Sequence, residues 1–157
     1  KLKNGLYVFE DQIERVSPEE IAELMYAPSY ISLEKALSIY GLIPEMVYAV
    51  TAVTPKTTRN FKNAVGSFHY RHIKPALFFG YQEGAGRKFM IAEPEKALLD
   101  YLYFNQNKLG DEEDIISLRL NIREIKKQLS VSKVYKYLTV FNSKKMEELI
   151  EMILGVG

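Results

Sequence analysis

The spacing of hydrophobic and polar positions changes twice along the chain. From Ser17 to Gly41 apolar residues recur at helical intervals. Ser17-Pro18-Glu19-Glu20 combines a capping hydroxyl, a proline suited to the first helical turn and an acid placed to complete a capping box. Ile21, Leu24 and Met25 follow as one stripe until Pro28 ends it. Ser32 opens a second predicted helix with Leu33, Ala36, Leu37 and Tyr40 on one face. Gly41 suits a left-handed cap and Pro44 forbids continuation.

Between Tyr48 and Ala92 the period falls to two, which sends successive side chains to opposite faces of a sheet. Strands are predicted at 48–54, 57–61, 67–73, 76–81 and 87–92, with Gly84-Ala85-Gly86 as a hairpin turn between the last two. The short connections predict mostly antiparallel pairing. Upstream, Asn4-Gly5 reads as a turn into a short strand at 6–9. Glu93-Pro94-Glu95-Lys96 starts another helix, whose Ala97, Leu98, Tyr101 and Leu102 are expected to cover one side of the sheet. After a turn from Asn107 to Gly110 the helical period returns in three stripes. These are Ile122, Ile125 and Leu129; then Val134, Tyr135 and Leu138; then Met146, Leu149, Ile150 and Ile153. The predicted class is α+β: a small, mostly antiparallel sheet flanked by helices, with a helical carboxy-terminal third.

Composition narrows the functional classes only slightly. The chain has 157 residues, 47% hydrophobic and 26% charged, with formal net charge +1, so any affinity for polyanions must come from local clustering. There is no cysteine, which removes disulfide and thiol chemistry and fits a reducing compartment. No apolar run approaches the roughly 20 residues needed to span a bilayer, and 1–9 does not read as a signal peptide. A cytoplasmic protein without a membrane partner is expected.

Charge is nonetheless segregated. No Asp or Glu falls between Glu45 and Glu83, while Lys56, Arg59, Lys62, Arg71 and Lys74 all do. Interleaved with Phe61, Phe68 and Tyr70, these cations form the candidate nucleic-acid-binding set, predicted to share one basic sheet face. The bland counterpart is a sheet edge protected by charge against aggregation. His69 and His72, three apart on a strand, point to opposite faces and do not make a shared metal site. No metal or cofactor is expected. Glu93, Glu95 and Asp100 with Lys96 offer a nuclease-like alternative, although acids in a first helical turn favour the helix dipole and Lys96 to Asp100 has the spacing of a surface ion pair. Asp111-Glu112-Glu113-Asp114 reads as a solvated helix start. A third alternative is a non-catalytic interaction module that docks through Met146, Leu149 and Ile153.

Several phrases in order resemble one family. They are Tyr30-Ile-Ser-Leu-Glu-Lys-Ala-Leu-Ser38, Tyr40-Gly-Leu-Ile-Pro44, Val50-Thr-Ala-Val-Thr54 with 56–61, Phe68-His-Tyr-Arg-His-Ile73, Phe78-Phe-Gly-Tyr81 and Ala92-Glu-Pro-Glu-Lys-Ala-Leu-Leu-Asp100. Together they are similar to AbiEi-like antitoxins of bacterial abortive-infection toxin–antitoxin systems. The resemblance runs from about Gly5 to Phe104, and the tail after Gly110 shares only its helical character. It implies a non-catalytic antitoxin and transcriptional autorepressor. Such proteins join a winged helix-turn-helix to an antitoxin domain that opposes a nucleotidyltransferase-like toxin. In that light residues 1–10 are a remnant of the wing and 11–157 the effector domain. Operator DNA would be a partner of the full-length protein, and the recognition helix that reads a major groove is not in this chain.

Overall fold

The structure is a computed structural model that describes residues 1–9, 16–84, 86 and 88–155. Mixed α and β structure is organised around a six-stranded sheet of order β3-β4-β2-β1-β6-β5. The strands are β1 (Tyr30–Ile31), β2 (Val50–Thr54), β3 (Arg59–Lys62), β4 (Ser67–His72), β5 (Tyr81–Glu83) and β6 (Met90–Ala92). Three of the five pairings are antiparallel: β1 with β2, β3 with β4 and β5 with β6. The other two, β2 with β4 and β1 with β6, are parallel. Between β2 and β4 the chain runs from Pro55 to Gly66 through β3, long enough for a parallel return.

Local chemistry explains where the helices begin and end. In α1 (Pro18–Met25) the Ser17 hydroxyl accepts from the Glu20 amide at 3.3 Å, and Pro18 takes the first turn. In α2 (Leu33–Ile39) the ending is a Schellman motif. The Leu42 amide reaches the Leu37 carbonyl at 2.8 Å and the Gly41 amide reaches Ser38 at 3.0 Å, with Gly41 at φ +72. Ser32 precedes α2 but does not cap it, because its hydroxyl is used elsewhere. The helix α3 (Pro94–Asn105) follows β6 directly, and α4 (Glu112–Ser117) starts with a full capping box between Asp111 and Asp114. The remaining helices are α5 (Ile122–Gln128), α6 (Val131–Phe141) and α7 (Lys144–Gly155).

The helices lie on both faces of the sheet. Tyr70 of β4 turns towards α1, where its hydroxyl donates to the Ala22 carbonyl. On the opposite face Thr51 of β2 bonds the Ser32 carbonyl and accepts from the Lys35 amide, so α2 covers that side. There α3 lies beside α2 and reaches Tyr30 through Asp100. Ile125, Val134, Leu138, Met146, Leu149, Ile150 and Ile153 join Leu98, Leu99 and Leu102 in one core. Met146, Leu149 and Ile153 are therefore buried, which corrects the expectation that they dock a partner.

Two further expectations need correction. Residues 76–81 do not form a strand: Pro75–Leu77 is a 3₁₀ turn and Gly80, at φ +73, redirects the chain into β5. Segment 6–9 shows no strand among the described residues, only an isolated bridge between Lys3 and Leu6 around Gly5. The β5–β6 hairpin exists, closed by the Gly84 amide on the Phe89 carbonyl, while Ala85 and Arg87 of its predicted turn and strand lie outside the described residues.

Candidate functional site

The five candidate cations are exposed but do not share a face. In the β3–β4 register Arg59 is opposite Tyr70 and Lys62 opposite Ser67. Paired residues project to the same side and neighbours alternate. Arg59 thus emerges on the α1 side with Tyr70, while Lys62 and Arg71 emerge on the side of α2 and α3. One basic face is not what this register makes. Lys56, Arg59 and Lys62 instead follow the outer edge at β3, Arg71 lies one strand inward, and Lys74 occupies the loop after β4.

Aromatic rings orient three of these cations. The Lys56 ammonium is 4.4 Å from the Tyr26 ring centre and donates to the Ala27 carbonyl at 3.2 Å. The Arg59 guanidinium lies 5.1 Å from the Phe61 ring, and that of Arg71 lies 4.6 Å from Phe104 of α3. Beside Arg71 an open groove of about 470 Å³ runs past Asn60, His69 and Thr58 to Leu33 and Glu34. His69 Nδ1 is 3.0 Å from Asn60 Oδ1, and His72 Nδ1 is 3.0 Å from the Lys56 carbonyl oxygen. The two histidines have separate partners, and among the described residues no group of three or more potential ligands could hold a metal.

A polar junction that the spacing had mislabelled lies beneath the sheet. Lys96 and Asp100 are both 0% exposed, so theirs is an internal ion pair, not a surface one. Lys96 Nζ donates to Asp100 Oδ1, the Tyr30 hydroxyl oxygen and the Leu77 carbonyl, each at 2.7 Å. Asp100 Oδ2 accepts from the Tyr30 hydroxyl at 2.9 Å and from the Ser32 hydroxyl at 2.8 Å. Every ammonium proton and both carboxylate oxygens are used. Burial pushes the Lys96 ammonium below its ordinary range, and attraction to Asp100 opposes that shift. Burial pushes the Asp100 carboxyl up, against the pull of Lys96 and the hydrogen bonds from Ser32 and Tyr30. Gly80 closes the junction from outside. A Cβ there would stand 2.9 Å from Lys96 Cγ and 3.2 Å from Tyr137 Cε2.

The other two carboxylates of the nuclease-like set face elsewhere. Glu93 accepts from Lys133 at 2.8 Å and from the Tyr137 hydroxyl at 2.5 Å, both on α6. Glu95 is buried with Oε1 3.5 Å from Lys133, and its Oε2 has no hydrogen-bond partner among the described residues. Burial alone would raise the Glu93 carboxyl, but the Lys133 and Tyr137 bonds and the Lys133 charge hold it below the ordinary range. The Glu93 bond in turn pushes the Tyr137 hydroxyl up to about 12. The four residues therefore split into a sealed pair and a helix–helix latch. They present no shared acid–lysine centre to a substrate.

The chain matches no protein-family model and no curated protein.

Proposed function

We propose that this chain is the effector domain of an AbiEi-like antitoxin, which counteracts a nucleotidyltransferase-like toxin, supports repression of its own operon and has no catalysis of its own. The observation that carries the reading is the meeting of its separate family-like phrases at one internal junction. Tyr30 and Ser32 come from the first phrase, Lys96 and Asp100 from the last, and Leu77 immediately precedes Phe78-Phe-Gly-Tyr81. Gly80 of that phrase packs on Lys96. The phrases are thus parts of one three-dimensional feature, as the reading of them as one unit expects.

Repression by the full-length protein would draw on Lys56, Arg59 and Lys62 along the β3 edge, with Arg71 and Lys74 behind them. Each phosphate neutralised on duplex DNA contributes about −0.9 to the slope of log affinity against log salt. The test of the antitoxin role is co-expression with the nucleotidyltransferase-like product of the neighbouring reading frame. Restored growth supports it; undiminished growth arrest with the folded chain present refutes it. For the DNA role, R59E/R71E in the full-length protein is expected to weaken operator binding and flatten its salt slope. Unchanged binding and repression would remove the cations from the account.

A further inference from the structure

We propose that a cleft between α1 and the β5 end of the sheet receives a lysine or arginine side chain presented by a protein partner. The cavity measures about 380 Å³. Its inner wall is apolar, formed by Ala22, Ile31 and Met90, and its rim is acidic, with Glu20 and Glu23 of α1 and Glu83 of β5. Glu19 also lines it but is already paired with Lys35 at 3.0 Å. Among the described lining residues Lys88 is the one cation, beside the three carboxylates of the rim.

A second observation comes from the inner wall. Ser29 lines the cleft, is 2% exposed and has a hydroxyl with no hydrogen-bond partner among the described residues. Buried hydroxyls are normally paired. A cationic donor reaching this wall would give Ser29 a partner and meet the carboxylates on its way. An apolar stem ending in a charged, multiply donating head is the shape of a lysine or arginine side chain. A metal ion is a poor fit, since no described group of three potential ligands converges.

The lip favours a protein source over a free polycation. Leu24, 69% exposed, and the half-buried Phe89 border the opening. They offer contact to apolar residues flanking a basic side chain, which a polyamine lacks. The cleft is also at the far end of the sheet from β3. A basic partner at the β5 end stands away from Arg59 and Lys62 of β3, which remain open to a polyanion. None of this depends on the antitoxin reading.

The probes are acetyl-Leu-Arg-Leu-amide, its citrulline counterpart and spermidine, titrated into the ¹⁵N-labelled chain by NMR. The arginine peptide is expected to shift amides of α1, 29–31 and the β5–β6 hairpin. The neutral citrulline peptide should bind at least tenfold more weakly. E20Q/E23Q alters two exposed positions and should cost at least fivefold in affinity with an otherwise unchanged spectrum, whereas K88Q should tighten binding. Absence of shifts at millimolar peptide, shifts centred elsewhere, or equal binding by the citrulline peptide or by E20Q/E23Q would overturn the proposal. Spermidine matching the arginine peptide at the same amides would overturn the protein source.

Discussion

Replacing Asp100 by alanine tests the internal junction most directly. The change removes the carboxylate paired with a fully buried ammonium and three accepted hydrogen bonds at once. Lys96 keeps the Tyr30 hydroxyl and the Leu77 carbonyl as acceptors, but neither carries a compensating charge. Breaking a buried pair from one side costs about 3–5 kcal/mol, a large share of the roughly 5–15 kcal/mol that holds a domain folded. With a urea slope of about 2 kcal/mol per molar, the unfolding midpoint should fall by roughly 1.5–2.5 M. Lys96→Met alone should also be severe, because it leaves Asp100 charged in the same surroundings. The double variant K96M/D100L should lose less than the sum of the single changes, by about 2 kcal/mol or more, since it leaves no isolated charge. Equilibrium urea unfolding followed by circular dichroism measures all three. A loss below about 0.5 kcal/mol for D100A, the value of an exposed pair, or strict additivity in the cycle, would refute the reasoning.

Gly80→Ala should cost about 2–5 kcal/mol, since it adds a left-handed backbone penalty to a clash with Lys96. Gly41→Ala, equally left-handed but facing open space, should cost only about 1–2 kcal/mol, and urea midpoints of the two compare them directly. The Glu93 latch predicts a pH signature. Its depressed carboxyl adds stability that is fully present above the ordinary value of 4.5 and lost as pH falls through the depressed one, so the gap in thermal midpoint between wild type and E93Q should close on acidification. Leu149→Ala should destabilise by about 2–5 kcal/mol with no change in mass by light scattering, because that side chain fills the core and does not dock a partner.

Local signals were legible in the sequence and long-range ones were not. The starts at Ser17, Pro94 and Asp111 and the stop at Gly41 depend on neighbours within a few residues, and the fold uses them as expected. Strand β1 escaped notice because two residues carry no period. Segment 76–81 alternates like a strand, yet Pro75 and Gly80 turn the backbone away from one. Lys96 and Asp100 have the same spacing whether a helix is exposed or buried. The available clue was that α3 has apolar residues on nearly every side, the mark of an enclosed helix. The cation geometry was also readable: the three-residue offset that separates His69 from His72 separates Arg59 from Lys62.

A waist only two residues wide joins the halves of the sheet. Among the described residues the strand linking β3-β4-β2 with β6-β5 is Tyr30 and Ile31, and on the β6 side the ladder is a single pairing of Ile31 with Ile91. So slender a ladder gives the halves little rigidity by itself, and the side-chain knot under Tyr30, with the α2 and α3 layer around it, braces them together. Loosening that brace should let the two ends exchange their amide hydrogens at different rates, so one domain would behave as two.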